Sequence, residues 1–145
     1  MAQHNNEYLP QLMTRVLASL HAVDTHGLAR MKLNAPAARV LVVLLKNGAM
    51  RVSRLAEQVA LEPTGLSHLM RILEQRRLIA RERQPEDHRA VIVSLTAAGR
   101  AQARLCAEMY AQCESSLLRN LPETDVLRLR GVLEQMLANA GLRDS

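Results

Sequence analysis

Residues 62–77, EPTGLSHLMRILEQRR, hold two chemically different faces at helical spacing. Leu66, Leu69, Met70 and Leu73 recur at three and four to make an apolar stripe, while Thr64, Ser67, His68, Arg71 and Gln75 fall on the other side. One face suits a core and the other a polar partner. Upstream, Ser53 is read as the cap of a brief helix reaching Val59, with Leu55, Ala56 and Val59 turned inward. Leu61, Glu62 and Pro63 make the turn between these two helices. Downstream, residues 81–84 and 90–95 read as two short strands around a charged tip, Pro85, Glu86, Asp87, His88 and Arg89.

The remainder of the chain is helical in pattern. Leu9, Leu12, Met13, Val16, Leu17, Leu20 and Val23 recur at helical spacing, and that helix can extend past Gly27 to Met31. Asn34 is an N-cap and Pro36 a first-turn residue for the next helix, which is apolar all round from Val40 to Leu45 and stops at Asn47-Gly48. Met50 to Val52 has the length of a short strand. Thr96 caps a long helix reaching about Leu118, with a stripe of Ala98, Ala101, Leu105, Met109, Cys113 and Leu117. Pro122 opens a last helix carrying Val126, Leu129, Val132, Leu133, Met136, Leu137 and Ala140, ending at Gly141. The first helix and the last two have apolar stripes that a 145-residue monomer leaves wet, so a twin chain is expected to cover them.

Composition narrows the function. The 145 residues suit one domain, and with no Phe or Trp the core is built from Leu, Val, Ala and Met. Tyr8 and Tyr110 are the only aromatics, which argues against stacking single-stranded bases but not against binding duplex. A net charge of +5 favours a polyanionic partner, and all but Lys32 and Lys46 of the 19 basic residues are Arg, whose fork fits phosphates and base edges. There is no apolar run of about 18 residues and the start, MAQHNNEY, lacks a signal-peptide pattern, so a cytoplasmic protein without a membrane role is expected. Cys106 and Cys113 give neither a disulfide framework nor a four-ligand zinc pattern, and no cofactor is implied. No glycine-rich phosphate loop, nucleophile elbow or metalloprotease motif is present, and an enzyme is not expected.

The order of elements, with PEDHRAVIVSLTAAG and LEQRRLIARE, resembles the multiple antibiotic resistance regulator (MarR) family of bacterial transcription factors. The first segment is similar to the family's Asp-x-Arg wing, second wing strand and Leu-Thr-x-x-Gly entry to the dimer helix. The second is similar to the end of its recognition helix and first wing strand. The resemblance covers essentially the whole chain and implies a mostly α fold with a small β-hairpin wing, a winged helix-turn-helix plus a helical dimerisation region. Residues 1–34 and 97–145 would form that region and residues 35–96 the DNA-binding lobe, in one intertwined domain. It further implies a homodimer on pseudo-palindromic double-stranded operator DNA, usually a repressor released by a small molecule or an oxidant. Arg77 departs from the pattern: the family usually has glycine there, and arginine in a left-handed conformation costs about 1 kcal/mol.

On DNA, Pro63, Thr64, Ser67, His68 and Arg71 are expected at the major groove, with Gly65 allowing the helix N-terminus to approach phosphate. Arg71 is assigned a guanine, a pairing that discriminates by about 1–3 kcal/mol. Arg89 is expected in a minor groove, with Asp87 bracing its guanidinium and His88 facing solvent or phosphate. Arg54, Arg76, Arg81 and Arg83 are expected to add backbone contacts.

The effector leaves a weaker imprint. The resemblance implies a pocket between the first two helices, the base of the dimer helix and the DNA-binding lobe. His21 and Arg39, then Asn34, are the candidate ligands there for a small organic anion, an aromatic carboxylate or its coenzyme A thioester, although an arginine so placed also fits a surface or inter-subunit ion pair. His26, Arg30 and Arg104 are further polar candidates beside Met13, Met31 and Leu41. Redox sensing through Cys106 and Cys113, metal sensing through His21, Asp24 and His26, and a winged-helix protein-interaction module remain alternatives. No metal site is assigned.

Overall fold

In a computed structural model, which describes residues 7–141 apart from the side chains of residues 21–25, the chain is six helices and a small sheet. The helices are α1 (Leu9–Arg30), α2 (Ala35–Asn47), α3 (Val52–Val59), α4 (Pro63–Gln75), α5 (Ala97–Leu117) and α6 (Glu123–Asn139). Strands β1 (Met50–Arg51), β2 (Ile79–Arg83) and β3 (Val91–Leu95) pair antiparallel in the order β1-β3-β2. Val93 is the pivot, opposite Met50 on one side and Arg81 on the other. The small β1 therefore ties the start of α3 to the hairpin.

The core lies under α2, α3, α4 and the sheet. Val40, Leu41, Val42 and Leu44 of α2 meet Leu55 and Val59 of α3 and Leu66, Leu69, Met70 and Leu73 of α4, all buried. The apolar stripe of residues 62–77 thus faces inward as its periodicity requires, and α2, apolar all round, is covered. Two expected caps form. Asn34 Oδ1 accepts the Ala37 N–H at 2.9 Å, and Thr96 Oγ1 accepts the Gly99 N–H at 3.0 Å.

Ser53 is not a cap. Arg51, the last residue of β1, pairs with Ile92 and passes directly into the helix, so α3 opens at Val52 and Ser53 falls inside its first turn. Helix α4 ends at Gln75 because Arg77 turns left-handed, at φ 56°, the conformation for which glycine is the usual residue. The first hairpin strand begins earlier than expected, at Ile79, and the second begins at Val91.

Helix α5 turns inward a face that shares only Met109 and Cys113 with the expected stripe. Gly99, Ala103, Cys106 and Cys113 are buried, whereas Ala98, Ala101, Leu105 and Leu117 are exposed. Small side chains let the helix lie against α2, and at Gly99 the approach is closest: a Cβ there would sit 1.7 Å from the Leu78 carbonyl oxygen. Cys106 and Cys113 are thus core packing residues. Helix α6 buries none of its residues, and most of its apolar side chains, with those on the outer side of α1, remain exposed. No described helix is long and apolar enough to cross a membrane.

Candidate nucleic-acid interface

Two elements converge on one side of the core. The apolar half of α4 is anchored by Leu66, Leu69, Met70 and Leu73, so geometry alone turns Thr64, Ser67, His68 and Arg71 outward, and all four are exposed. Pro63 occupies the first position of α4, where no N–H is needed. A Cβ on Gly65 would meet nothing within 4 Å among the described residues, so no described contact demands glycine there.

Arg71 and His68, one turn apart, form a pair. The Arg71 Nη2 lies 3.0 Å from His68 Nδ1. A guanidinium has only donors, so Nδ1 accepts and the neutral ring carries its proton on Nε2, leaving a donor free on the far side.

The β2–β3 hairpin stands beside this face. Its loop closes through Gln84 N–H to Ala90 O at 3.0 Å and Ala90 N–H to Asp87 O at 2.9 Å. Asp87 Oδ1 accepts the backbone N–H of Arg89 at 3.1 Å, an Asx turn. This corrects the expected bracing: the Asp87 carboxylate shapes the turn, and the ion pairs among the described residues do not join it to the Arg89 guanidinium.

Between α3, α4 and the hairpin runs a groove of about 720 Å³, edged by Arg51, Pro63, Ser67, Asp87 and Arg89 over Leu66 and Met70. Residues from three separate stretches therefore share one concave surface. Thr64, His68 and Arg71 continue the polar face along α4, while Arg54, Arg83 and His88 are exposed but do not line the groove. Arg51 was not anticipated, because its place at the end of a two-residue strand gives no periodic signal; its Nη2 reaches Gln84 Oε1 at 3.4 Å.

Two arginines expected to contact DNA backbone have partners within the protein. Arg81 Nε donates to Glu74 Oε2 at 2.9 Å and its Nη2 bonds the same oxygen, fastening β2 to the end of α4. The hydrogen bond from Arg81, with its charge, holds the Glu74 carboxyl below the ordinary carboxylate range against a smaller opposing effect of desolvation. Arg76 donates to the carbonyls of Lys32 and Met31 at 2.6 and 3.0 Å.

The expected effector residues are not drawn together by any described contact. The His21 side chain lies outside the described residues, as does that of Asp24. Asn34 is exposed and its carboxamide oxygen is engaged in capping α2. Arg39 is half-buried on α2, with Nε buried and lacking a hydrogen-bond partner among the described residues. Among the described residues no cluster of three or more His, Cys, Asp or Glu is arranged to hold a metal.

Residues 33–91, which span α2 to the start of β3 and include every residue that edges the groove, match the MarR family model. Those residues form a MarR-family segment of the chain. It is similar to the HTH-type transcriptional repressor MdtR of Bacillus subtilis, 38% identical over 60 residues, or 41% of this chain and 39% of the repressor. The chain spans roughly two fifths to just over half of the length of the curated relatives it matches. Over nearly the full chain it is similar to Bordetella bronchiseptica BpsR, whose DNA binding is regulated by 6-hydroxynicotinic acid, with a TM-score of 0.77, 25% identity and coverage of 90% of this chain and 98% of that one. The fold is shared with an E. coli MarR variant solved with operator DNA, at a TM-score of 0.75, 22% identity and coverage of 89% and 93%. These MarR-family relatives are transcriptional regulators, not enzymes.

Proposed function

We propose that the protein is a homodimeric DNA-binding repressor that leaves a pseudo-palindromic operator when a small organic anion binds. The observation that carries this reading is the single face on which the polar side of α4 and the Arg89 hairpin meet around one groove. Thr64, Ser67, His68 and Arg71 would read the major groove, Arg89 the adjacent minor groove, and Arg54, Arg83 and His88 nearby phosphates. Residues 35–96 would act as the DNA-binding lobe, and residues 1–34 with 97–145 as the dimerisation region. Support for the second chain comes from exposed apolar side chains on α1 and α6, such as Leu17 at 55%, Leu127 at 61% and Val132 at 51%.

The anion is assigned to the aromatic carboxylates or their coenzyme A thioesters. Arg39, with a buried Nε that no described residue engages, is the cation best placed to receive it; Asn34 contributes less because its oxygen is already used. That BpsR responds to an aromatic acid supports the chemical class.

Fluorescence anisotropy on a labelled fragment from upstream of the protein's own gene, titrated at two salt concentrations with and without aromatic acids and thioesters, tests the reading. Tight binding whose log-log salt slope is about −0.9 per phosphate neutralised, abolished by one compound, is the expected result. Absence of any sequence-selective binding, there or on duplexes selected from a random pool, rejects it.

A further inference from the structure

Helix α4 leaves toward the hairpin through residues 76–78, and both sides of that turn are fastened to outer helices. On one side the Arg76 fork spans the end of α1, Nη1 donating to the Lys32 carbonyl at 2.6 Å and Nη2 to the Met31 carbonyl at 3.0 Å. A helix C-terminus has carbonyls without intrahelical partners and a negative dipole end, so a half-buried guanidinium there meets both needs at once. On the other side Thr96, at the head of α5, donates from Oγ1 to the Arg77 carbonyl at 2.6 Å and from its backbone N–H to the Leu78 carbonyl at 3.1 Å. Gly99 then packs directly on Leu78. The left-handed conformation of Arg77, at φ 56°, is held between these two attachments.

We propose that Arg76 is a positioning residue that sets the angle of the α4 recognition helix relative to the outer helices without itself touching DNA. The role presupposes the dimeric DNA-binding reading above. Its bonds cross 44 and 45 residues of sequence and join the end of α1 to the end of α4. In a dimer built on the outer helices, that joint fixes the direction in which each α4 projects and hence the half-site spacing the pair accepts. The Met31–Lys32 turn, which leads into α2 and toward Arg39, is the point at which movement of the outer helices would reach α4. Arg77 and Leu78 carry no equivalent removable side-chain link, which makes Arg76 the residue to test.

The test uses a duplex selected from a random-sequence pool by the wild-type protein, and the same duplex with one base pair inserted at its centre. Wild type is expected to prefer the original duplex by about tenfold or more, because the insertion rotates one half-site relative to the other. In Arg76→Met, checked for retained helicity by circular dichroism, that preference should shrink to a few-fold while the salt slope stays at the wild-type value. Arg76→Lys, with one ammonium in place of a fork, should fall between the two and supplies the test if the methionine variant does not fold. A salt slope reduced by about 0.9 with spacing preference intact would instead make Arg76 a phosphate contact and overturn the proposal. Wild-type spacing preference in the folded methionine variant, or in the lysine variant alone, overturns it as well. Failure to select any duplex removes the DNA-binding reading itself, and this role with it.

Discussion

Arg71 and Arg89 are both exposed, yet the proposed complex gives them different chemistry. Arg71 stands on a rigid helix with one nitrogen already oriented by His68, which suits a fork aimed at base edges. Arg89 sits on a turn whose backbone is set by Asp87 and depends on charge more than on direction. Arg89→Ala should therefore weaken binding to all sequences and reduce the salt slope by about 0.9. Arg71→Ala should lose about 1–3 kcal/mol of discrimination at one position of each half-site, read from base-substituted duplexes. Equal losses for both variants on every duplex would contradict this division. Gly65 separates function from stability. No described residue blocks a Cβ at that position, so Gly65→Ala should raise thermal stability, by up to about 1 kcal/mol, while weakening DNA binding. Unchanged affinity would show that the duplex does not approach there.

Among the elements, the junction between α4 and β2 holds the hairpin in place beside α4. Its polar fastening is the pair Glu74–Arg81, and the lowered Glu74 pKa gives it a sign with pH. A carboxyl depressed in the folded state stabilises fully above its ordinary, unfolded value near 4, and that contribution disappears as pH falls through the lower folded value. Glu74→Gln should accordingly lower stability modestly at neutral pH and flatten the acid limb below about pH 4, so that variant and wild type converge as pH falls, as followed by urea denaturation across pH. An identical acid limb in the variant would mean that the pair does not persist in solution. Because β2 carries the hairpin, a looser junction should also reduce the contribution of Arg89 to binding.

For the molecule as a whole, the decisive quantity is the apolar surface left on the outer helices. Leu129, Leu133 and Leu137 line the side of α6 that faces α5 around Glu114 and Leu118, yet each remains at least 39% exposed. Burying a leucine fully stabilises by about 1.5–3 kcal/mol, so a second chain gains substantially by covering this surface. Sedimentation of the wild-type protein should give twice the 16.2 kDa chain mass. Replacing Leu129 and Leu133 together by glutamate should yield monomers with sharply reduced operator affinity, since a single half-site remains. A monomeric wild type that still binds operator tightly would reject the homodimer.

Periodicity and capping act over a few residues, which is why the inward face of α4, the boundaries of α1 and the caps Asn34 and Thr96 can be read from the chain. The exposure of Thr64, Ser67, His68 and Arg71 follows equally, because fixing four apolar residues in the core leaves a helix no other way to turn them. The inner face of α5 could be read only in part: Met109 and Cys113 of the expected stripe turn inward, but Gly99 and Ala103 give little hydropathy signal, and only the proximity of Leu78 and α2 selects them. The partners of the arginines were equally hidden. One arginine looks like another in sequence, and whether it meets phosphate, a carboxylate or a helix end depends on distances closed by folding. Arg81 meets Glu74, and Arg76 meets α1 across more than forty residues. The sequence by itself determined the inward face of α4 and where most of the helices begin, since both are local properties of the chain. Tertiary structure alone decided which charges are engaged, because those pairings exist only when distant segments have been brought to within hydrogen-bond distance.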